Sequence, residues 1–231
     1  MEPAITTTWN SPRNTPIAPQ TGELHLWLID LRLTDGVKLA ERLLSSDEQQ
    51  RSERMRLPTE QRRFILARGA MRSILSAYIG VPGNQIIFRY GDKGKPAIDH
   101  PQSPIKFNLS HSKDIALLAV AEKSVGIDLE PLSQRKGLRQ IAFRVFSPEI
   151  VKKLQLLQDE AFTLAFFRHW TELEAKVKAL GGGIFSETQQ ITRVRHRHFQ
   201  PIDGWIAAVA MEGKPPPPEK WSTYRFSFNA Q

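Results

Sequence analysis

Cysteine is absent from all 231 residues, which excludes disulfide bonds, thiolate nucleophiles and cysteine-ligated zinc together. Long apolar runs are absent too. No stretch approaches the roughly 20 residues needed to span a bilayer, so no membrane partner is expected. The opening residues, MEPAITTTWNSPRNTP, carry neither a basic start nor an apolar block, so they do not read as a secretory signal and a cytoplasmic location is the default.

What is present is a globular composition, 40% hydrophobic and 24% charged, on a chain long enough for one large domain or two small ones. A net charge of +8 and a pI near 9.9 favour a polyanionic partner. Charge alone does not choose between nucleic acid, an acidic protein and a phosphorylated cofactor. The cations concentrate at 51–72, 135–144 and 193–197, and any one of these clusters can equally be a solvated face.

Residues 1–22 are rich in Thr, Pro and Asn without an apolar period and read as an irregular arm. ELHLWLIDL (23–31) has strand periodicity with both faces largely apolar. Ser46 with Gln49 resembles a capping box opening a basic helix to about Arg56. From Thr59 to Ile79, Phe64, Ala67, Met71, Ile74, Leu75 and Tyr78 recur at helical spacing until Gly80 and Pro82 stop the helix. IIFRY (86–90) reads as a short strand before the turn GDKGKP. FNLSHS (107–112), IALLAVA (115–121) and VGIDLEPL (125–132) read as closely spaced strands. Ser147-Pro148-Glu149 predicts a capped helix to about Leu157, and a longer one runs from about Asp159 to Leu180, ending in three glycines. Strands at 205–210 and 224–228 flank the run PPPP.

On a strand, Asp128 and Glu130 project from one face, about 6 to 7 Å apart. Trp170, Glu174 and Lys178 follow at four-residue steps, so they stack along one side of the long helix. Were Glu174 near Asp128 and Glu130, each carboxylate pair at ~4 Å would repel by about 4 kcal/mol at an effective dielectric near 20. A hard divalent cation removes that repulsion, and an all-oxygen set suits Mg2+. The plainer alternative is that Asp128 and Glu130 are surface charges and that Glu174 and Lys178 form an ordinary helix pair. Ser110 and His111 sit at a strand end where they can meet phosphate oxygens. Adjacent strand residues point to opposite faces, so the two do not make a nucleophile and its base.

In this order GKP, FNLSHS, GIDLE, FSPE and WTELEAKVK resemble the 4'-phosphopantetheinyl transferase superfamily, and most of all its larger monomeric type that activates surfactin synthetase, over residues from about 60 to 185. That resemblance implies an α+β fold of two similar α/β halves related by pseudo-twofold symmetry, at 23–120 and 121–231, with coenzyme A in the cleft between them. It implies that Asp128, Glu130 and Glu174 hold Mg2+, that Lys178 lies by the reacting phosphate, and that Glu174 takes the proton of a carrier-protein serine. Ser110, His111 and Lys95 would contact the nucleotide, as would Arg63 and, less directly, Arg68. Glu149 is a further candidate, although FSPE is one residue shorter than the family spacing. The partners implied are coenzyme A as co-substrate and an acyl or peptidyl carrier protein, with no nucleic acid and with a monomer sufficient. Two other readings stand beside it: a nucleic-acid-binding module built on RVRHRHF, and a coenzyme A binding protein without catalysis. Phe143 and Phe146 could dock the carrier, with core packing the better expectation for both.

Overall fold

The computed structural model describes residues 5–11, 17–99, 103, 105–182 and 192–228. Gly183, the last of the three stop glycines, lies outside them. The elements of the first half are β1 (Ile5–Thr6), β2 (Leu24–Asp30), α1 (Val37–Leu43), α2 (Ser46–Glu53), α3 (Pro58–Ile79), β3 (Phe88–Tyr90), β4 (Pro96–Ile98), β5 (Lys106–Ser112) and β6 (Ile115–Ala121). There follow β7 (Val125–Pro131), α4 (Leu138–Val145), α5 (Pro148–Gln155), α6 (Asp159–Leu180), β8 (Val194–Gln200), β9 (Trp205–Glu212) and β10 (Trp221–Phe226).

Two long helices organise the chain. Proline in its first turn opens α3, and Gly80 closes it in the left-handed region that glycine adopts without penalty. Gly181 closes α6 in the same way. Each helix covers one four-stranded sheet, in the orders β10-β2-β6-β5 and β1-β8-β9-β7. Phe64, Met71 and Leu75 of α3 pack on Trp27, Phe107 and Leu118 of the first sheet. The opposite face of that sheet, with Leu24, Leu26, Leu117 and Ala119, packs on Ile127, Leu129, Phe199 and Val209 of the second. Ala175 and Ala179 of α6 close the far side against Ala208 and Ala210. The layers therefore run helix, sheet, sheet, helix, which explains why both faces of β2 are apolar. The expectation of a mixed α and β fold with two α/β halves is met.

Contact between α6 and β7 is close because residue 126 has no side chain. A β-carbon there would overlap the carbonyl oxygen of Ala175 and the amide of Ala179.

The facing edges of the two sheets, β5 and β7, are joined by side chains. Asn108 Oδ1 accepts a hydrogen bond from the Ile127 amide at 2.8 Å. Ser110 Oγ donates to Asp128 Oδ1 at 2.9 Å and Ser112 Oγ to Glu130 Oε2 at 3.1 Å. Alternate β5 residues thus address alternate β7 residues, as the two-residue period of strands requires.

Several local expectations need correction. The arm at 1–22 is not wholly irregular: Ile5 and Thr6 pair with Phe199 and Gln200 in the second sheet. Conversely the tail returns to the first sheet, where β10 runs parallel to β2. The helix α2 is capped one residue earlier than expected, by Ser45 with Glu48, which leaves the Glu48 carboxylate facing α3. The helices α1 and α4 and the strand β4 had no clear signal in the sequence.

Candidate active site

Asp128 sits at the middle of β7, buried, with its Oδ1 atom held by two donors. Besides Ser110, Lys178 Nζ donates to it at 2.6 Å. Lys178 also donates to Ser110 Oγ at 3.1 Å and lies 3.9 Å from Glu174 Oε2, one helical turn back. Strand, neighbouring strand and helix thus place three functional groups, Ser110, Lys178 and Glu174, around one carboxylate. Burial raises the pKa of Asp128 most, the charge and hydrogen bond of Lys178 oppose it, and nearby Glu174 raises it again; the result is about 6. The second oxygen, Oδ2, is buried with no hydrogen-bond partner among the described residues. An orphaned carboxylate oxygen is costly unless something not yet bound completes it.

Glu130 lies on the same face of β7, as expected, but its carboxylate turns to other partners. Besides Ser112, it pairs with Arg135 Nη2 at 2.9 Å, and Arg135 in turn lies over the Phe167 ring at 5.1 Å. Among the described residues no three His, Asp or Glu side chains converge into a ready metal cluster. The expected triad of Asp128, Glu130 and Glu174 is thus split, because Asp128 and Glu130 each pair with a cation, Lys178 and Arg135, and this keeps like charges apart.

The remaining expected residues divide between the centre and its surroundings. Ser110 faces Asp128, whereas His111 is exposed on the face of β5 that looks toward α3, as their adjacency on a strand requires. Partial enclosure of the imidazole lowers the His111 pKa, the charges of Lys178, Arg63 and Arg51 lower it further, and Glu60 opposes them. Arg63 is therefore close, but its guanidinium is held by Asp114 in the β5–β6 turn at 2.9 Å and by Glu60. Arg68 contacts Glu48, Tyr90 and the ring of Phe88, and shares Glu48 with the fully buried Arg72. Those two arginines tie α3 to α2. Glu149 is an exposed first-turn residue of α5 whose carboxyl is held below its usual range by the Ser147 hydroxyl.

Lys95 donates to Ser124 Oγ, Val125 O and Ala179 O at 3.0 to 3.1 Å, so all three of its protons have acceptors. Burial, assisted by the charge of Lys106, pushes its ammonium down to about 8. It lines a cavity of about 490 Å3 with Lys93, Lys106, Phe107, Ala179 and Gly181, next to the end of α6 that carries Lys178. Sequence reasoning missed Asn108, Ser112, Arg135, Lys93 and Lys106. The strand period that links Asp128 to Glu130 would also have linked Ser110 to Ser112 and Asn108, whereas the Arg135 contact had no local signal.

Two consecutive family models cover most of the chain. The model described as "4'-phosphopantetheinyl transferase, N-terminal" matches residues 33–123, and that of the "4'-phosphopantetheinyl transferase superfamily" matches 124–209. Among curated relatives, 4'-phosphopantetheinyl transferase HetI of Nostoc sp. is 37% identical over 217 residues, covering 86% of this chain and 92% of its own length. AcpT of Escherichia coli K12 is 41% identical over 114 residues, and gsp of Aneurinibacillus migulanus 32% over 123 residues. Those two matches span 56% and 50% of the relatives. A solved holo-(acyl-carrier-protein) synthase of Bacillus anthracis in complex with CoA aligns at a TM-score of 0.35 with 22% identity, over 43% of this chain and 93% of that one. The chain belongs to the 4'-phosphopantetheinyl transferase superfamily, the enzymes that move the phosphopantetheine arm of coenzyme A onto carrier proteins.

Proposed function

We propose that this protein transfers 4'-phosphopantetheine from coenzyme A to a serine of an apo acyl or peptidyl carrier protein, using Mg2+ held at Asp128 and Glu174. The observation that carries the reading is Asp128, whose Oδ2 is buried beside Glu174 and Lys178 without a partner among the described residues. This donor set fits a hard divalent cation, since it consists of carboxylate oxygens at a polar seam. Glu130 joins it if Arg135 releases its carboxylate. The ion supplies charge neutralisation for the phosphates when bound.

The chain's own residues carry the remaining roles. Lys178 presents an ammonium beside Asp128 where negative charge develops on the transferring phosphoryl group. Glu174 accepts the proton of the carrier serine as its oxygen bonds to the β-phosphorus. The pyrophosphate P–O bond breaks, and its electron pair leaves with 3',5'-ADP. The cavity of about 490 Å3 beside Lys95 accommodates the nucleotide end, with Lys93 and Lys106 as its cations and Phe107 as an apolar wall. Arg63 and His111 flank the other side of β5, and reach phosphate only if Arg63 exchanges Asp114 for it.

The carrier docks on α4 and α5, beyond Arg135. Ile141, Phe143 and Leu156 are exposed there, and so are Arg139, Arg144, Lys152 and Lys153 of the same two helices. Phe143, expected in the core, is 62% exposed; Phe146 instead packs on Phe166. A basic rim with apolar anchors suits a partner that is acidic around its serine. Both halves of the cleft come from one chain, so a monomer suffices. The test is intact-protein mass spectrometry of an apo carrier protein incubated with the enzyme, coenzyme A and Mg2+. A gain of one phosphopantetheine group that EDTA abolishes is expected, and its absence across fatty-acid and peptide-synthetase carriers overturns the reading.

A further inference from the structure

Two ion pairs neutralise the carboxylates of β7, and they differ in exposure. The side chains of Asp128 and Lys178 are 7% and 28% exposed, those of Glu130 and Arg135 18% and 40%. Water and salt screen the second pair, so Arg135 leaves its partner easily, whereas loss of Lys178 would strand a buried charge. Departure of Arg135 does not cast Glu130 loose. The Ser112 hydroxyl still donates to Glu130 Oε2 at 3.1 Å, which keeps that carboxylate on the face it shares with Asp128. Nor must the backbone move. The connection from β7 to α4 is pinned at its start by the Leu132 amide on Gly204 O at 2.7 Å, and rotation about side-chain bonds is enough to swing the guanidinium.

The same arginine belongs to the surface that faces the carrier. It lines a cavity of about 340 Å3 with Leu138, Arg139 and Gln140, the start of α4, and the exposed Ile141 and Phe143 follow directly on that helix. Arg139 is fixed there by donation to Leu157 O at 3.0 Å and by the Phe162 ring at 4.2 Å. Among the described residues the charged lining is Arg135, Arg139 and Asp159. While Arg135 is spent on Glu130, Arg139 balances Asp159; when Arg135 turns outward, the cavity gains a positive charge that an acidic partner can meet.

We infer that Arg135 is a latch that couples carrier docking to the metal centre: a carboxylate of the docked carrier draws its guanidinium from Glu130 into this cavity, and Glu130 is released to join Asp128 and Glu174 as a cation ligand. The inference rests on the transferase reading above and adds how its site is assembled. A guanidinium and a carboxylate make a stronger contact where an interface excludes water, so the exchange favours the seated carrier. By linkage, carrier and Mg2+ tighten each other by the same factor. That factor is bounded by the strength of the pair they break, up to about fivefold.

The test uses the full-length enzyme and an apo acyl carrier protein whose acceptor serine is replaced by alanine, so that nothing is transferred. Carrier affinity is first measured by calorimetry in EDTA. Glu130→Gln, which removes the charge that holds Arg135, should bind the carrier about two- to fivefold more tightly than the unsubstituted enzyme, and the gain should vanish in an Arg135→Gln background. A pair that only braces the connection predicts equal or weaker binding. Mg2+ is then titrated with and without saturating carrier. The unsubstituted enzyme should bind Mg2+ about two- to fivefold more tightly with the carrier seated, and Arg135→Gln should reach that value alone and gain nothing from the carrier. Metal affinity indifferent to the carrier, or coupling that survives Arg135→Gln, would overturn the latch and leave the transferase reading in place. Mg2+ binding that Asp128→Asn leaves unaltered would overturn the metal centre of that reading, and the latch with it.

Discussion

Lys178 Nζ lies 2.6 Å from Asp128 Oδ1 while Oδ2 of the same buried carboxylate has no partner among the described residues, so this ion pair satisfies only half of the acid it neutralises. The consequence for stability has a definite sign. Folding raises the Asp128 pKa from 3.8 to about 6, so between those values the native state binds more protons than the unfolded one. Stability contributed by this group is therefore present at low pH and lost as pH rises through that window. Asp128→Asn removes the charge and should stabilise the ligand-free protein near pH 7 by up to about 2 kcal/mol, the difference fading below about pH 4. Urea unfolding of both proteins at the two pH values checks this.

Arg135 competes with any cation for Glu130. The pair is partly exposed and correspondingly weak, so Arg135→Gln should tighten Mg2+ binding only severalfold, equivalent to about 1 kcal/mol or less. Calorimetric titration of Mg2+ into the two proteins measures it, and weaker binding to the variant would show that Arg135 supports the centre.

Much of this arrangement was legible in the sequence. The two long helices announced themselves by apolar spacing and terminal glycines, and the two-residue period of a strand put Asp128 and Glu130 on one face and Ser110 and His111 on opposite faces. What was not legible is non-local. Nothing near Glu130 marks Arg135 as its partner. Nor could periodicity show that β10 returns to β2 across nearly the whole chain, or that Glu48 binds Arg68 and Arg72. Lys95 was expected to meet the nucleotide, and that its three protons bind Ser124, Val125 and Ala179 was not legible.

Gly126→Ala should be among the most damaging single substitutions. The added methyl would overlap the Ala175 carbonyl and the Ala179 amide, backbone atoms that move only if α6 lifts from β7. A loss of about 3 kcal/mol or more is expected, read as a lowered melting temperature, together with loss of the Asp128–Lys178 contact and hence of transfer.

Phe143→Ala should affect the carrier and not coenzyme A. An exposed aromatic that anchors a partner contributes about 1 to 3 kcal/mol, so KM for the carrier should rise about tenfold or more while KM for coenzyme A and protein stability stay unchanged. Raising the ionic strength should weaken carrier binding further by screening the surrounding lysines and arginines.

The most direct measurement of the central claim is the single-turnover rate of phosphopantetheine transfer by Asp128→Asn beside the unsubstituted enzyme, with coenzyme A and Mg2+ saturating. The account predicts a fall of at least about a hundredfold in a protein that remains folded and is no less stable. A rate within about tenfold of the original would contradict it, and would place the chemistry away from the Asp128, Glu174 and Lys178 centre.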